Sequence, residues 1–166
     1  MNTSVCWTCW RSGKPPPERA DFYGPNHPSS PAAYDSLSAY FRDTETKPQD
    51  YDLIITGDLG ELGHAIVRDL FARDGVDLGS RFQDCGLLLY DRQRQDMHAG
   101  ASGCGCSASV LNGYLLTELR RGKWRSILFA PTGALLSPTS SFQGESVPGI
   151  CHVVHLSTER SIKGGN

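Results

Sequence analysis

The spacing of apolar residues changes several times along the chain, and each spacing predicts a different element. From residue 31 the segment PAAYDSLSAYFRD places Ala33, Leu37, Tyr40 and Phe41 at helical spacing, and its leading proline is tolerated at a helix start. The segment YDLIITGD that follows is a short apolar run rich in β-branched residues. It predicts a buried strand after the first helix.

The segments that come next repeat this alternation of helix and strand. LGELGHAIVRDLFARDG predicts a helix that Gly75 ends, and CGLLLYD predicts a second buried strand. CSASVLNGYLLTELRRG predicts a third helix that ends at Gly122. The apolar faces of these two helices are Leu62, Ile66, Val67, Leu70 and Phe71 in the first, and Val110, Leu111, Tyr114, Leu115 and Leu119 in the second.

Two further apolar runs, RSILFAPTG and GICHVVHLS, predict strands that we expect to pair antiparallel across the loop 133–149. That loop contains Glu145, and its length is typical either of a functional loop or of a solvated connection. The order α-β-α-β-α-β-β predicts an α/β domain with a layered, mixed β-sheet covered by helices. It spans residues 31–157 and leaves 158–166 as a tail.

Residues 1–30 differ from the rest, because they contain three consecutive prolines and show neither apolar period. We expect them to be a poorly ordered prefix. The abrupt change near Pro31 motivates the hypothesis that the chain is a truncated or frame-shifted product.

The composition and charge of the chain exclude several classes of function. Hydrophobic residues make up 39% and charged residues 20%, which is ordinary for a globular protein, and the net charge of −2 gives no footprint of a nucleic-acid binder. No apolar run is long enough to span a bilayer, and the N-terminus lacks a secretory signal pattern. A reducing compartment with free thiols is therefore favoured for the six cysteines, which are Cys6, Cys9, Cys85, Cys104, Cys106 and Cys151.

The stretch TGDLGELG joins the first strand to its helix. Its glycines form GxxGxxG, which is neither the dinucleotide fingerprint nor a phosphate loop. Asp58 follows the carboxyl end of a strand, where open α/β sheets place their sites. It is interpreted either as the cap of the helix or as a ligand or interface residue.

The cysteines raise the questions of a metal site and of a nucleophile. Cys6 and Cys9 have the spacing of half a zinc site, but the other half would need Cys104 and Cys106, whose one-residue gap is unusual, so we expect no metal. Cys104 and Cys106 lie near a predicted helix N-terminus, which can lower a thiol pKa. They are interpreted either as small packing residues or as a nucleophile. The bases available to such a nucleophile are His98, the nearest in sequence, and His64 or His152.

Taken together in this order, GDLG, SGCGCSA, PTGALLSP and QGESVPGI closely resemble the second half of the stage V sporulation protein AD family, from about Pro31 to about residue 156. The resemblance implies a thiolase-like half-domain with no cofactor. It also implies a non-enzymatic component of the machinery that takes up and releases dipicolinic acid, a small aromatic dicarboxylate, free or as its calcium chelate. The expected partners are membrane proteins of the same operon, and the expected location is peripheral, on the cytoplasmic side of the forespore or spore inner membrane.

The resemblance also allows a comparison with catalytic thiolase motifs. ASGCGCSA aligns with GHPxGxSG and puts Ser102 at about the histidine position, while FAPTGALL aligns with CxGGG and puts Ala130 or Pro131 near the cysteine. Serine cannot replace imidazole as a near-neutral acid or base, so no catalytic residue is expected. Because the matched half would normally pack on another half, we expect an exposed apolar face and self-association.

We expect ligand binding in two small-residue loops and at the strand end that carries Asp58. The candidate residues are Asp58, Ser102, Gly103, Cys104, Gly105, Cys106, Ser107, Thr132 and Gly133. Backbone N–H groups in these loops would receive the carboxylates. Two alternatives are a degenerate acyltransferase remnant that acts through Cys104 or Cys106, and a structural module that docks on partner subunits and binds nothing small.

Overall fold

The sheet is mixed. The computed structural model describes residues 29–134 and 149–158, together with the backbone of 8–11. Its strands are β1 Thr8–Arg11, β2 Leu53–Thr56, β3 Phe82–Asp84, β4 Ser126–Ala130, β5 Thr132–Ala134 and β6 Gly149–Ser157. They are ordered β1-β6-β4-β2-β3, and β5 pairs with β6. β2 is parallel to β3 and β4, whereas β6 is antiparallel to β1, β4 and β5.

Helices alternate with the strands along the chain. They are α1 Ser29–Thr44, α2 Gly60–Arg73 and α3 Cys85–Leu88, followed by α4, in which Cys106–Val110 and Leu116–Arg120 flank a π-helical turn, Leu111–Leu115. Short 3-10 turns lie at Pro48–Asp50 and Gly79–Arg81. Gly75 and Gly122 have φ values of 74° and 80° just after α2 and α4, which glycine adopts without strain. The three long helices and the strands β2, β4 and β6 confirm the sequence predictions.

The prediction of a buried strand at CGLLLYD is wrong. The strand β3 ends one residue earlier, and Cys85 begins α3 because the Asp84 side chain accepts a hydrogen bond from the N–H of Gly86 at 3.0 Å. Leu88 and Leu89 are 40% and 42% exposed. The apolar run was therefore not a sign of burial on both faces.

The side chains of the sheet alternate between two apolar cores. Ile54 and Leu128 face the core formed with α1 and α2, whereas Ile55, Ile127 and Phe129 face the core formed with α4. The apolar faces predicted for α2 and α4 are buried except at Leu111, which is partly buried, and at Leu62 and Tyr114, which are 57% and 38% exposed. The result is three layers, with helices covering both faces of the sheet, as expected for the α/β class.

One strand lies in the prefix where no element was predicted. Residues 8–11 form β1, which adds to the edge of β6 with Thr8 opposite His155 and Arg11 opposite His152. The predictions about Cys6, the loop around Glu145 and the tail after residue 158 lie outside the described residues. Within those ranges no helix combines the length and apolarity that a membrane span requires.

Candidate functional site

Three chain segments meet where β2 and β4 end. We call residues 57–59, 99–107 and 131–133 the loop cluster. A β-carbon added at Gly57 would lie 2.7 Å from Ser107 Oγ and 3.0 Å from the backbone nitrogen of Thr132. Glycine is therefore favoured at this position, because an added methyl group would displace the Ser107 hydroxyl and press on the backbone of Thr132.

Asp58 ties two parts of the loop cluster together. Its Oδ2 accepts hydrogen bonds from Ser102 Oγ at 3.1 Å and from the N–H of Gly103 at 2.9 Å. The interpretation of Asp58 as the cap of α2 is wrong, since the N-cap residue of that helix is Leu59 and the Asp58 carboxylate accepts from Ser102 and Gly103 instead. Gly103 has a φ of 134°, so the turn that Asp58 holds needs a glycine there.

The carboxylate that organises this end of the sheet is Asp84, which the sequence analysis did not single out. It is fully buried and accepts four hydrogen bonds, from Thr56 Oγ1 (2.7 Å) and from the backbone N–H groups of Leu59 (3.0 Å), Gly60 (3.1 Å) and Gly86 (3.0 Å). It thus caps the starts of both α2 and α3. The available signal was an acid directly before Cys85 and Gly86 at the end of a short strand.

The buried thiol of the loop cluster, Cys106, is not poised as a nucleophile. Cys106 is buried with its Sγ 4.0 Å from the carbonyl of Gly57, and burial, followed by the charges of Asp58 and Asp84, raises its pKa. A position at a helix N-terminus was expected to favour the thiolate, but burial and two carboxylates act in the opposite direction. Burial also raises the pKa of Cys85, and it raises that of Cys151 to about 12.

Two of the three bases considered for a thiol nucleophile, His98 and His64, lie in other contacts. His98 Nε2 is 2.7 Å from Asp96 Oδ1, and both side chains are exposed. His64 stacks on the ring of Phe82, with centroids 4.5 Å apart, and its Nε2 is 3.2 Å from the Phe82 carbonyl oxygen. Among the described hydrogen bonds, none joins a histidine to Cys104 or Cys106.

The remaining candidates divide into a packed group and a rim. Ser107 and Thr132 lie against Gly57, and the Thr132 hydroxyl is buried with no hydrogen-bond partner in the described part of the chain. Cys104 and Gly105 are exposed on the rim of the turn. Gly133 lies farther along β5, where an added β-carbon would be 3.5 Å from Ile150.

The described residues include no group of three His, Cys, Asp or Glu side chains that could hold a metal ion. Cys6 and the side chain of Cys9 lie outside the described residues. The chemistry that the loop cluster offers is therefore hydrogen bonding by small residues and backbone groups beside two carboxylates.

A TM-score of 0.45 relates the chain to the crystal structure of 3-oxoacyl-(acyl-carrier-protein) synthase III from Aquifex aeolicus VF5, with 13% sequence identity. The match covers 80% of this chain and 39% of that one. This similarity is too low to carry an argument, and the α/β class rests on the sheet and helices described above.

Sequence similarity is much stronger. The chain is 45% identical over 125 residues to stage V sporulation protein AD of Bacillus subtilis (strain 168). The match covers 75% of this chain and 37% of that protein, so the chain spans well under half of its relative. Residues 25–157 also match the family described as Stage V sporulation protein AD (SpoVAD). The chain belongs to the stage V sporulation protein AD family.

Proposed function

We propose that the chain acts in sporulation as a non-enzymatic binding module for dipicolinic acid, free or as its calcium chelate. The observation that carries the proposal is the 45% identity to a stage V sporulation protein across most of the described domain. The loop cluster is the proposed binding site, because open α/β sheets bind ligands beyond the carboxyl ends of their parallel strands.

Two features favour binding over acyl transfer. The aligned thiolase positions carry Ser102 and Ala130 or Pro131, none of which has a side chain that exchanges protons near neutral pH. The buried thiol of the loop cluster, Cys106, has a raised pKa and is held as the neutral thiol rather than the nucleophilic thiolate. The aligned thiolase positions therefore supply no acid or base, and the Cys106 thiol is not activated as a nucleophile.

The polar groups of the loop cluster restrict how a dicarboxylate fits. Asp58 already occupies the Ser102 hydroxyl and the Gly103 N–H, so these two donors are not free for a ligand. The N–H of Cys106 donates to the carbonyl of Gly103, so the N–H groups of Ser107 and Ala108 in the first turn of α4 remain candidates for one carboxylate. The aromatic ring would then lie over the small residues of the 102–107 turn.

The proposed setting is the cytoplasmic side of the forespore or spore inner membrane, with membrane proteins of the same operon as partners. In this setting the chain would be a peripheral subunit that presents or receives the ligand. Co-purification of tagged chain with those membrane proteins from sporulating cells tests this part. Recovery of the chain without them would contradict it.

Calorimetric titration of the purified chain with dipicolinic acid tests the binding proposal. Benzene-1,3-dicarboxylate is the matched control ligand, because it keeps the carboxylate spacing and lacks the ring nitrogen. The proposal predicts saturable binding of dipicolinic acid with one site per chain, weaker binding of the control, and no acyl-enzyme after incubation with acyl-CoA. Absence of saturable binding would contradict the binding role, and a covalent acyl adduct would favour the enzymatic alternative.

A further inference from the structure

We propose that residues 120–125, with the sequence RRGKWR, form a docking surface for an anionic lipid bilayer. The lipid surface is a partner in addition to the ligand and the membrane proteins proposed above. Contact with it does not require bound dipicolinic acid.

Positive charge is concentrated in this segment. Four of its six residues are basic, namely Arg120, Arg121, Lys123 and Arg125, whereas the whole chain has a net charge of −2. All four basic residues are exposed. The positive patch is therefore a local feature of the surface and does not follow from a basic composition. Exposed cations grouped in this way attract anionic surfaces.

Two of the four cations have no protein partner. The carboxylate of Glu118 lies 2.8 Å from Arg121 Nη1 and 3.9 Å from Lys123 Nζ, so it neutralises part of the charge. By contrast, the side chains of Arg120 and Arg125 make no hydrogen bond or ion pair within residues 29–134 and 149–158. An exposed guanidinium without a partner can bind a lipid phosphate with two parallel hydrogen bonds.

Aromatic and aliphatic side chains accompany the cations. The rings of Trp124 and Tyr114 meet edge to face with their centroids 5.7 Å apart, and Lys123 Nζ lies 4.7 Å from the centroid of Trp124. Leu88 lines the same groove as both rings and is 40% exposed. Cations beside Trp, Tyr and Leu are typical of an interfacial lipid contact, whereas an acidic polypeptide needs only the cations. The mixture therefore favours a bilayer.

The segment lies at the opposite end of the sheet from the loop cluster. It directly precedes β4, Ser126–Ala130, and the loop cluster follows that strand at Pro131. The backbone N–H groups of Arg125 and Ser126 donate to Asp52 Oδ2 at 2.7 Å and 3.1 Å, which ties the segment to the amino end of β2 as well. A bilayer bound at this end would leave the loop cluster facing away from the membrane and open to the ligand.

Co-sedimentation of the chain with lipid vesicles tests the proposal. Mixed vesicles of phosphatidylcholine and phosphatidylglycerol are the anionic probe, and vesicles of phosphatidylcholine alone are the neutral control. We expect binding to the anionic vesicles that weakens as sodium chloride is raised from about 0.05 M to about 0.5 M, because salt screens exposed charges. The neutral vesicles should bind little of the chain, and added dipicolinic acid should not change the result.

A pair of double variants locates the contact. R120Q/R125Q removes the two unpaired cations, whereas R68Q/R94Q makes the same change in net charge at exposed residues outside the segment. R120Q/R125Q should weaken binding to the anionic vesicles by about tenfold or more, since each cation near an anionic surface adds to the affinity. R68Q/R94Q should bind nearly as the unsubstituted chain does.

Three results with vesicles would each overturn the proposal: no binding, equal binding to neutral and anionic vesicles, or equal losses in the two double variants. Retention on immobilised poly-L-glutamate without binding to vesicles would also overturn it, and would indicate an acidic protein partner instead. Because the vesicle assay needs no ligand, its failure leaves dipicolinic acid binding to be decided by the titration described above.

Discussion

At the level of single residues, the two aspartates at the ends of β2 and β3 have different structural roles. Asp84 is fully buried and accepts hydrogen bonds from four donors, whereas Asp58 is partly exposed and accepts two hydrogen bonds from the 102–103 turn. A buried carboxylate is tolerated only when its oxygens are hydrogen-bonded, which the N–H groups of Leu59, Gly60 and Gly86 and the hydroxyl of Thr56 provide. Asp84 thus holds the buried starts of α2 and α3, and Asp58 holds an exposed turn.

Replacing each aspartate by asparagine should therefore lower the free energy of unfolding by different amounts. D84N should lower the free energy of unfolding by about 3 kcal/mol, because an amide group replaces an oxygen that accepts from backbone N–H groups. D58N should lower the free energy of unfolding by about 1 kcal/mol or less, since Ser102 and Gly103 are exposed and can donate to water instead. Urea denaturation of both variants measures the difference. Equal costs would show that Asp84 does not anchor the two helix starts.

Two histidines make stability depend on pH. Burial lowers the pKa of His64 and of His155 below the ordinary 6.5. The unfolded chain then binds more protons than the folded one as the pH falls below about 6.5, so the free energy of unfolding decreases in that direction. Above this range both states are neutral at these rings and the effect vanishes.

Denaturation midpoints at about pH 7.5 and about pH 5.5 measure this dependence. H155N should show a smaller decrease between the two conditions, because one proton-binding site of the unfolded state is removed. The exposed His98 gives the control, and H98N should keep the full decrease. A decrease that is the same in H155N and H98N would contradict the assignment.

At the scale of elements, the loop cluster is held by close backbone contacts between connections. A β-carbon at Gly86 would lie 2.2 Å from the carbonyl oxygen of Ala101, and the N–H of Ala101 donates to the Gly86 carbonyl at 2.8 Å. The start of α3 and the segment before α4 are therefore locked together.

The close contact at Gly86 predicts that replacing a glycine by alanine destabilises the fold at this position and not at an uncrowded one. G86A should destabilise the fold by about 2 to 3 kcal/mol, because the added methyl group overlaps backbone that cannot move freely. G105A is the matched control, since nothing lies within 4 Å of its added β-carbon. Thermal denaturation compares them. A G86A variant as stable as G105A would mean that the two connections are not locked.

The same elements show how far the sequence predicts the fold and the site. Helical periodicity located α1, α2 and α4, and the apolar runs located β2, β4 and β6, because these elements bury a continuous face. Periodicity failed at CGLLLYD, where the Asp84 cap decides for a helix, and at β1, whose pairing with β6 is a long-range contact. Local sequence also pointed to Asp58 rather than Asp84, since only the folded chain brings four donors to one carboxylate.

At the scale of the whole molecule, one side of the domain exposes apolar side chains close together. Leu88 and Tyr114 line the same groove as Trp124, and both are more than a third exposed. The match covers 37% of the Bacillus subtilis relative, so that relative has further chain outside the matched region. Exposed apolar patches of this kind favour association.

We therefore predict that the isolated chain self-associates through this groove. Sedimentation equilibrium should give an apparent mass that rises with concentration, and L88D should reduce the rise. L62D is the matched control, because Leu62 is exposed on α2, away from the groove. A chain that stays monomeric at all concentrations, or an L62D effect as large as that of L88D, would contradict the prediction.

Backbone amide NMR during a titration with dipicolinic acid shows whether the ligand binds at the loop cluster. We expect saturable shifts concentrated in residues 57–59, 102–107 and 131–133, with the amides around Trp124 unchanged. No saturable shifts, or shifts concentrated at the Trp124 groove instead of the loop cluster, would contradict this expectation.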